Sequence, residues 1–165
     1  MIVDLQIASD NKQLPTLTQL EQWTKLALQT ACGEAEITIR MVDNEESHEL
    51  NLLYRGQDKA TNVLSFPFEQ PEFEDPELAA AISTELGSVS YIGDLVVNAP
   101  LLVQEAAQQH KSVIDHWAHL IIHGTLHLQG FDHTEDQEAE EMEALEARLL
   151  ASLNIANPYV AKESD

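Results

Sequence analysis

The sequence predicts an α/β (α+β) fold: a single layered domain with a small four-stranded mixed sheet packed against about five to six helices. Three observations predict it. The 165 residues amount to one domain's worth of chain. A composition that is 44% apolar supplies a core and excludes disorder. The hydrophobic patterns, taken in order, read β-α-β-α-β-β-α-α-α without an internal repeat or a domain-boundary linker. The domain is placed at residues 1–157, with a C-terminal tail at 158–165.

Each element has its own warrant. Met1 to Ala8 alternates apolar and polar residues, as a strand does. Pro15 and Thr16 open a helix whose apolar face is Leu17, Leu20, Trp23, Ala27 and Ala31; Gly33 stops it, and Cys32 is a small buried hydrophobe at its end. Glu36 to Val42 is the second strand. Asp43 and Glu46 have capping-box spacing and open a helix through Leu50, Leu53 and Tyr54 that Gly56 closes. Thr61 to Phe68 is the third strand, and Pro67 places it at a sheet edge or ends it. Glu69 to Ser88 is a long acidic connection with room for a short helix from Pro76 to Leu86. Val89 to Val97 is the fourth strand. A helix from Asn98 or Pro100 to Gln109 follows, then one from Ser112 or Asp115 to Leu128. Thr134 and Gln137 have capping-box spacing for the last helix, with Met142, Leu145, Leu149 and Leu153 as its core stripe.

Composition narrows the function classes. The longest apolar run, Leu78 to Ile82, is far short of the ~20 residues of a membrane span, so no membrane role is expected. The opening MIVDLQIASD has neither a basic nor an apolar signal region, and a single cysteine excludes a disulfide framework; both favour a cytoplasmic setting. Eight Lys plus Arg against 29 Asp plus Glu give a net charge of −21, which opposes non-specific nucleic-acid binding. Arg40, Arg55 and Lys59 nevertheless fall close together, so a local basic site inside an acidic shell is compatible with the sequence.

Chemistry concentrates in the histidines. His116, His119, His123 and His127 fall within about 80° of one another around one helix, forming a stripe. His123 and His127 are one turn apart, the spacing that lets two imidazoles reach one metal ion. Gly130 turns the chain and lets His133 return to the same point. Three neutral imidazoles on a tetrahedral ion leave an open position, the pattern of a catalytic zinc. His119 lies close enough to orient a ligand, His116 is expected to cap or pack, and His48 and His110 to lie on the surface. Metzincin proteases share the ligand spacing, but Gly124 stands where their general-base glutamate would be, which counts against peptide hydrolysis.

The segments NLLYRGQDKATNVLSFPF, IGDLVV and HGTLHLQGFDH, with EDQEAEEMEALEARLL and the final NPY, closely resemble the YbeY family of bacterial endoribonucleases. The resemblance implies a compact layered fold with a zinc cleft, one Zn2+ per chain, and single-strand-specific cleavage of RNA. It implies action in ribosomal RNA processing, at the 3′ end of the small-subunit RNA, and in ribosome quality control. Ribosomal RNA and ribosomal or ribosome-associated proteins are the implied partners. The family's metal ligands match His123, His127 and His133, and its functional arginine matches Arg55. The catalytic candidates are therefore Arg55 and His123. Asn62 stands where the family usually has Asp, and the acidic stretch after Phe68 is longer than is common.

A zinc held this way lowers the pKa of a bound water to around 7 and polarises a phosphoryl oxygen. Arg55 has the planar fork that binds phosphate, although a cation in the last helical turn is equally a dipole partner. Lys59 reads as either a loop lysine or a phosphate contact. Two alternatives remain on these residues: a zinc-dependent hydrolase of another substrate, and a non-enzymatic ribosome-associated module with structural zinc.

Overall fold

The computed structural model describes residues 2–28, 35–67, 76–77, 90–129 and 136–158. Four strands, β1 (Ile2–Ile7), β2 (Ala35–Val42), β3 (Val63–Pro67) and β4 (Ser90–Asn98), form one mixed sheet in the order β1-β2-β4-β3. The β1–β2 and β2–β4 pairs are parallel, and β3 runs antiparallel to β4 at the edge. Pro67 sits at the last position of that edge strand, where a missing N–H disrupts no central ladder. Five helices accompany the sheet among the described residues: α1 (Leu17–Ala27), α2 (Asn44–Arg55), α3 (Ala99–Gln108), α4 (Val113–Leu128) and α5 (Asp136–Ser152). None of them is long and apolar enough to cross a membrane.

Period-two alternation sorts β2 and β4 between two faces. Ile37, Ile39, Met41, Leu95 and Val97 point to one side and bury completely with Leu20, Trp117, Ile121 and Leu126. This main core lies under α1 and α4. Val42, Leu64 and Val96 point to the other side, where α2 covers them with Leu50 and Phe66 packed alongside. Among the described residues, no other helix covers that second face.

Local chemistry sets most boundaries. Thr16 and Gln19 make a reciprocal capping box at α1. The Asn98 side chain accepts from Leu101 N, and Ser112 from Asp115 N, so both caps in the third quarter of the chain form. Gly56 ends α2 in the left-handed region at φ 67°, where only glycine is unstrained. The capping box expected at Asp43 and Glu46 does not form. Asp43 occupies the cap position, but its carboxylate accepts from the Ser9 hydroxyl, at 2.5 Å, while Glu46 pairs with Arg40. Tertiary partners outcompete the local motif. β3 begins at Val63 rather than Thr61, because Thr61 is tied to α2 through the Ser47 hydroxyl. Ala31, Cys32, Gly33, Gly130, His133 and Thr134 lie outside the described residues, as do most of the acidic connection and residues 159–165.

Candidate metal centre

Apolar residues on three sides of α4 bury it, leaving the histidine stripe along the remaining side. Trp117, Ile121, Ile122 and Leu126 are fully buried, whereas His119, His123 and His127 are half-buried. The glycine at 124 has a steric cause. A Cβ there would come within 2.7 Å of Leu95 Cδ2 and 3.5 Å of Ser65 Oγ, so α4 lies against β3 and β4 at this point. The site therefore sits directly on the sheet, and a glutamate at this position would have no room.

His123 and His127 are brought together as their spacing predicts. Their rings lie 4.6 Å apart at 72°, and their Nε2 atoms face each other at 3.1 Å. Two nitrogens on a tetrahedral zinc, each about 2.0–2.1 Å from the metal, are about 3.3 Å apart. The observed separation is close to that of two nitrogens on one ion.

What holds this pair is Glu146, from α5. Its carboxylate is fully buried, bonds Nδ1 of His123 through Oε1, and lies 3.4 Å from Nε2 of His119 through Oε2. An Nδ1–H donated to a carboxylate fixes the tautomer and leaves Nε2 as the lone-pair atom, the arrangement that supports metal-ligating histidines. Burial pushes the His119 imidazole below its ordinary value while Glu146 pulls against it. His119, His123 and Glu146 also form a group able to hold a cation, their ligand atoms lying within 4.8 Å of one another. The two arrangements share His123 and use its opposite nitrogens. Nδ1 of His123 is engaged by Glu146, and its Nε2 faces Nε2 of His127.

Glu146 was hidden in the sequence by its setting among seven acidic residues from Glu135 to Glu146. The available signal was positional. With Met142, Leu145 and Leu150 buried, residue 146 lies on the apolar stripe of α5, one turn after Met142. An acid on an apolar stripe needs a partner.

Arg55 ends α2, is exposed, and donates from Nη2 to the Ser65 carbonyl of edge strand β3 at 3.3 Å. Ser65 in turn lies next to Gly124, the neighbour of His123. The guanidinium is thereby tied to β3 by one of its five donors. The three cations that fall close together in sequence have different surroundings. Arg40 is on the open sheet face and makes a two-point ion pair with Glu46, at 2.5 and 2.9 Å. Lys59 is exposed in the loop beyond α2.

The remaining histidines fall where expected. His116 is buried and 3.1 Å from Glu105, His48 pairs with Asp58 at 2.6 Å, and His110 is exposed. Asn62 donates its amide to both oxygens of Glu105, at 3.1 and 3.3 Å. An aspartate there would face a second carboxylate.

The family profile described as Endoribonuclease YbeY matches residues 5–154. Among solved structures, the chain is similar to the solution structure of TM1509 from Thermotoga maritima, with 21% identity over 98% of this chain and 99% of that one and a TM-score of 0.53. At that identity the likeness concerns the fold.

Proposed function

Because the chain belongs to the YbeY endoribonuclease family, we propose that it is a zinc-dependent, single-strand-specific endoribonuclease acting in ribosomal RNA processing, with small-subunit 3′-end maturation and ribosome quality control as its roles. Ribosomal RNA as substrate places its work in the cytoplasm, beside ribosomal or ribosome-associated proteins. The observation that carries the zinc reading is the Nε2 pair of His123 and His127, set at 3.1 Å and oriented from behind by a buried carboxylate.

In this reading His123 and His127 hold the ion with His133 as third ligand, and Arg55 and His123 are the catalytic residues. When bound, zinc supplies a Lewis acid for a phosphoryl oxygen and acidifies a water. The rest of the work belongs to the chain. Glu146 holds His123 in the ligating tautomer, and His119 satisfies the second carboxylate oxygen. Ser65 anchors the Arg55 guanidinium, whose other donors would bind a phosphate that gains charge in the transition state. Gly124 keeps the helix close enough to the sheet for Arg55 and the histidines to serve one phosphodiester.

One preparation tests the proposal. Metal content and cleavage of a single-stranded small-subunit ribosomal RNA fragment are measured with and without chelator, alongside circular dichroism and a duplex control. The expected result is loss of cleavage with the fold intact, restored by zinc, and a resistant duplex. Undiminished cleavage after chelation would overturn it, and collapse of the fold with the metal would favour a structural zinc.

A further inference from the structure

Strand β4 carries a bulge that the metal site does not explain. Glu36 of β2 pairs with Tyr91 but the next residue, Ile37, pairs with Gly93, so Ile92 is the extra residue. Gly93 has φ 140°, a conformation side chains rarely adopt. In a regular strand, residues three apart point to opposite faces. The bulge puts Tyr91 and Asp94 on the same face, where the Tyr91 hydroxyl bonds both Thr38 Oγ1, at 2.7 Å, and the Asp94 carboxylate.

These groups floor a cavity of about 560 Å³ on the open face of the sheet, walled by Tyr54 and Phe66. The two rings meet edge to face at 5.2 Å, and Tyr54 is 62% exposed, so a ring face is available for stacking. Two of the cavity's lining residues are sequence neighbours of Arg55 and of its anchor. Tyr54 precedes Arg55, and Phe66 follows Ser65, the residue to which Arg55 is anchored. Edge strand β3 thus has Gly124, the neighbour of His123, on one side, the cavity on the other, and Arg55 bonded to its Ser65 carbonyl.

We infer that this cavity is a nucleobase subsite, taking the base of a nucleotide whose phosphate is held at Arg55. The inference rests on the RNA-cleaving reading above. Charge decides the orientation. Arg40, the only cation lining the cavity among the described residues, is already committed to Glu46 and Gln6, and Asp94 repels phosphate. A sugar–phosphate backbone is excluded from the pocket, but an uncharged base is not. Aromatic walls offer stacking to any base. Asp94 adds selectivity. Burial and the Asp94 carboxylate push the Tyr91 hydroxyl up to about 12, so it remains a donor that fixes Asp94 while leaving acceptor capacity. An acceptor-only carboxylate favours bases with an exocyclic amino group. It disfavours uracil, whose single N–H is flanked by two carbonyl oxygens.

Amide chemical shifts of the full chain, titrated with cytidine 5′-monophosphate and with uridine 5′-monophosphate, test this. Shifts should cluster at Tyr54, Phe66, Tyr91 and Asp94, with the cytidine nucleotide at least about fivefold tighter. Tyr54→Ala, at an exposed position, should weaken it by about fivefold or more, the lower end for one stacked base. An absence of shifts at these residues, or equal affinity for both nucleotides in wild type and Tyr54→Ala, would overturn the inference. So would shifts here from an arginine-rich peptide but none from nucleotides, which would assign the face to a protein partner. Cleavage of single-stranded RNA by the same preparation separates the two claims. A protein that cleaves but shows no shifts here contradicts the subsite alone, and one that binds here but never cleaves contradicts the nuclease reading alone.

Discussion

A carboxylate with no solvent exposure, such as that of Glu146, is held by its partners and holds them in return. Glu146→Gln keeps the shape but presents one acceptor and one amide donor to two imidazoles. Metal affinity should fall by about 10–100-fold, as when the group orienting a metal-bound histidine is lost; competition with a chromogenic chelator measures it, and unchanged affinity would remove Glu146 from the site. Arg55 should behave oppositely. Arg55→Ala should retain metal and melting temperature but lose cleavage by about 10² or more, and Arg55→Lys should recover little. Full activity in Arg55→Ala would exclude it from the mechanism, since a dipole partner contributes only about 0.3–1 kcal/mol of stability. At Glu105, burial penalises the charge, yet His116 and Asn62 outweigh it and hold the carboxyl below its ordinary value. Its stabilising contribution is present above the ordinary carboxylate range and is lost as pH falls through the lowered folded value. Asn62→Asp reverses the sign by pairing two carboxylates, raising the folded affinity for a proton, so its penalty grows as pH rises. Thermal melts from pH 4 to 7 should show the gap between variant and wild type widening with pH; a constant gap would contradict the account.

Elements with a strong internal period were legible from sequence, and those decided by tertiary partners were not. The i, i+4 spacing of His123 and His127 fixes their common face wherever α4 packs, and the glycine stop at Gly56 is a backbone requirement. Asp43 and Glu46 carry equally good local spacing, but Ser9 and Arg40, distant in sequence or on another strand, claim both carboxylates. No local pattern records such a competition. The bulge at Ile92 is likewise a property of pairing, although Gly93 within an otherwise apolar strand is its sequence trace. Gly124 separates the two kinds of cause, since its role is a helix–sheet contact. Gly124→Ala forces Leu95, fully buried, to move. Overpacking of about 1–3 kcal/mol exceeds the helix propensity gained, about 1 kcal/mol, so denaturant melts should show a net loss of up to about 2 kcal/mol. A stabilised variant would show that α4 does not rest on the sheet there.

Across the whole molecule, a net charge of −21 acts on folding and on substrate alike. Self-repulsion weakens the compact state and is screened by salt, so melting temperature should rise as sodium chloride is raised from about 0.05 to 0.5 M. A flat or falling curve would mean that the acidic residues are locally compensated. Arg55 is exposed while Arg40 is paired, so on the proposed reading the attraction for RNA is local and the field around it repulsive. On the proposed reading the metal lies on the Nε2 side of His123, toward His127, with Glu146 and His119 behind it. Metal content of His127→Ala and His119→Ala, measured side by side with wild type by elemental analysis, tests this most directly. The account predicts about one zinc per wild-type chain, occupancy lost by orders of magnitude in His127→Ala, and His119→Ala still loaded at saturating zinc. Full occupancy in His127→Ala with an empty His119→Ala would place the ion on His119, His123 and Glu146 instead, and contradict it.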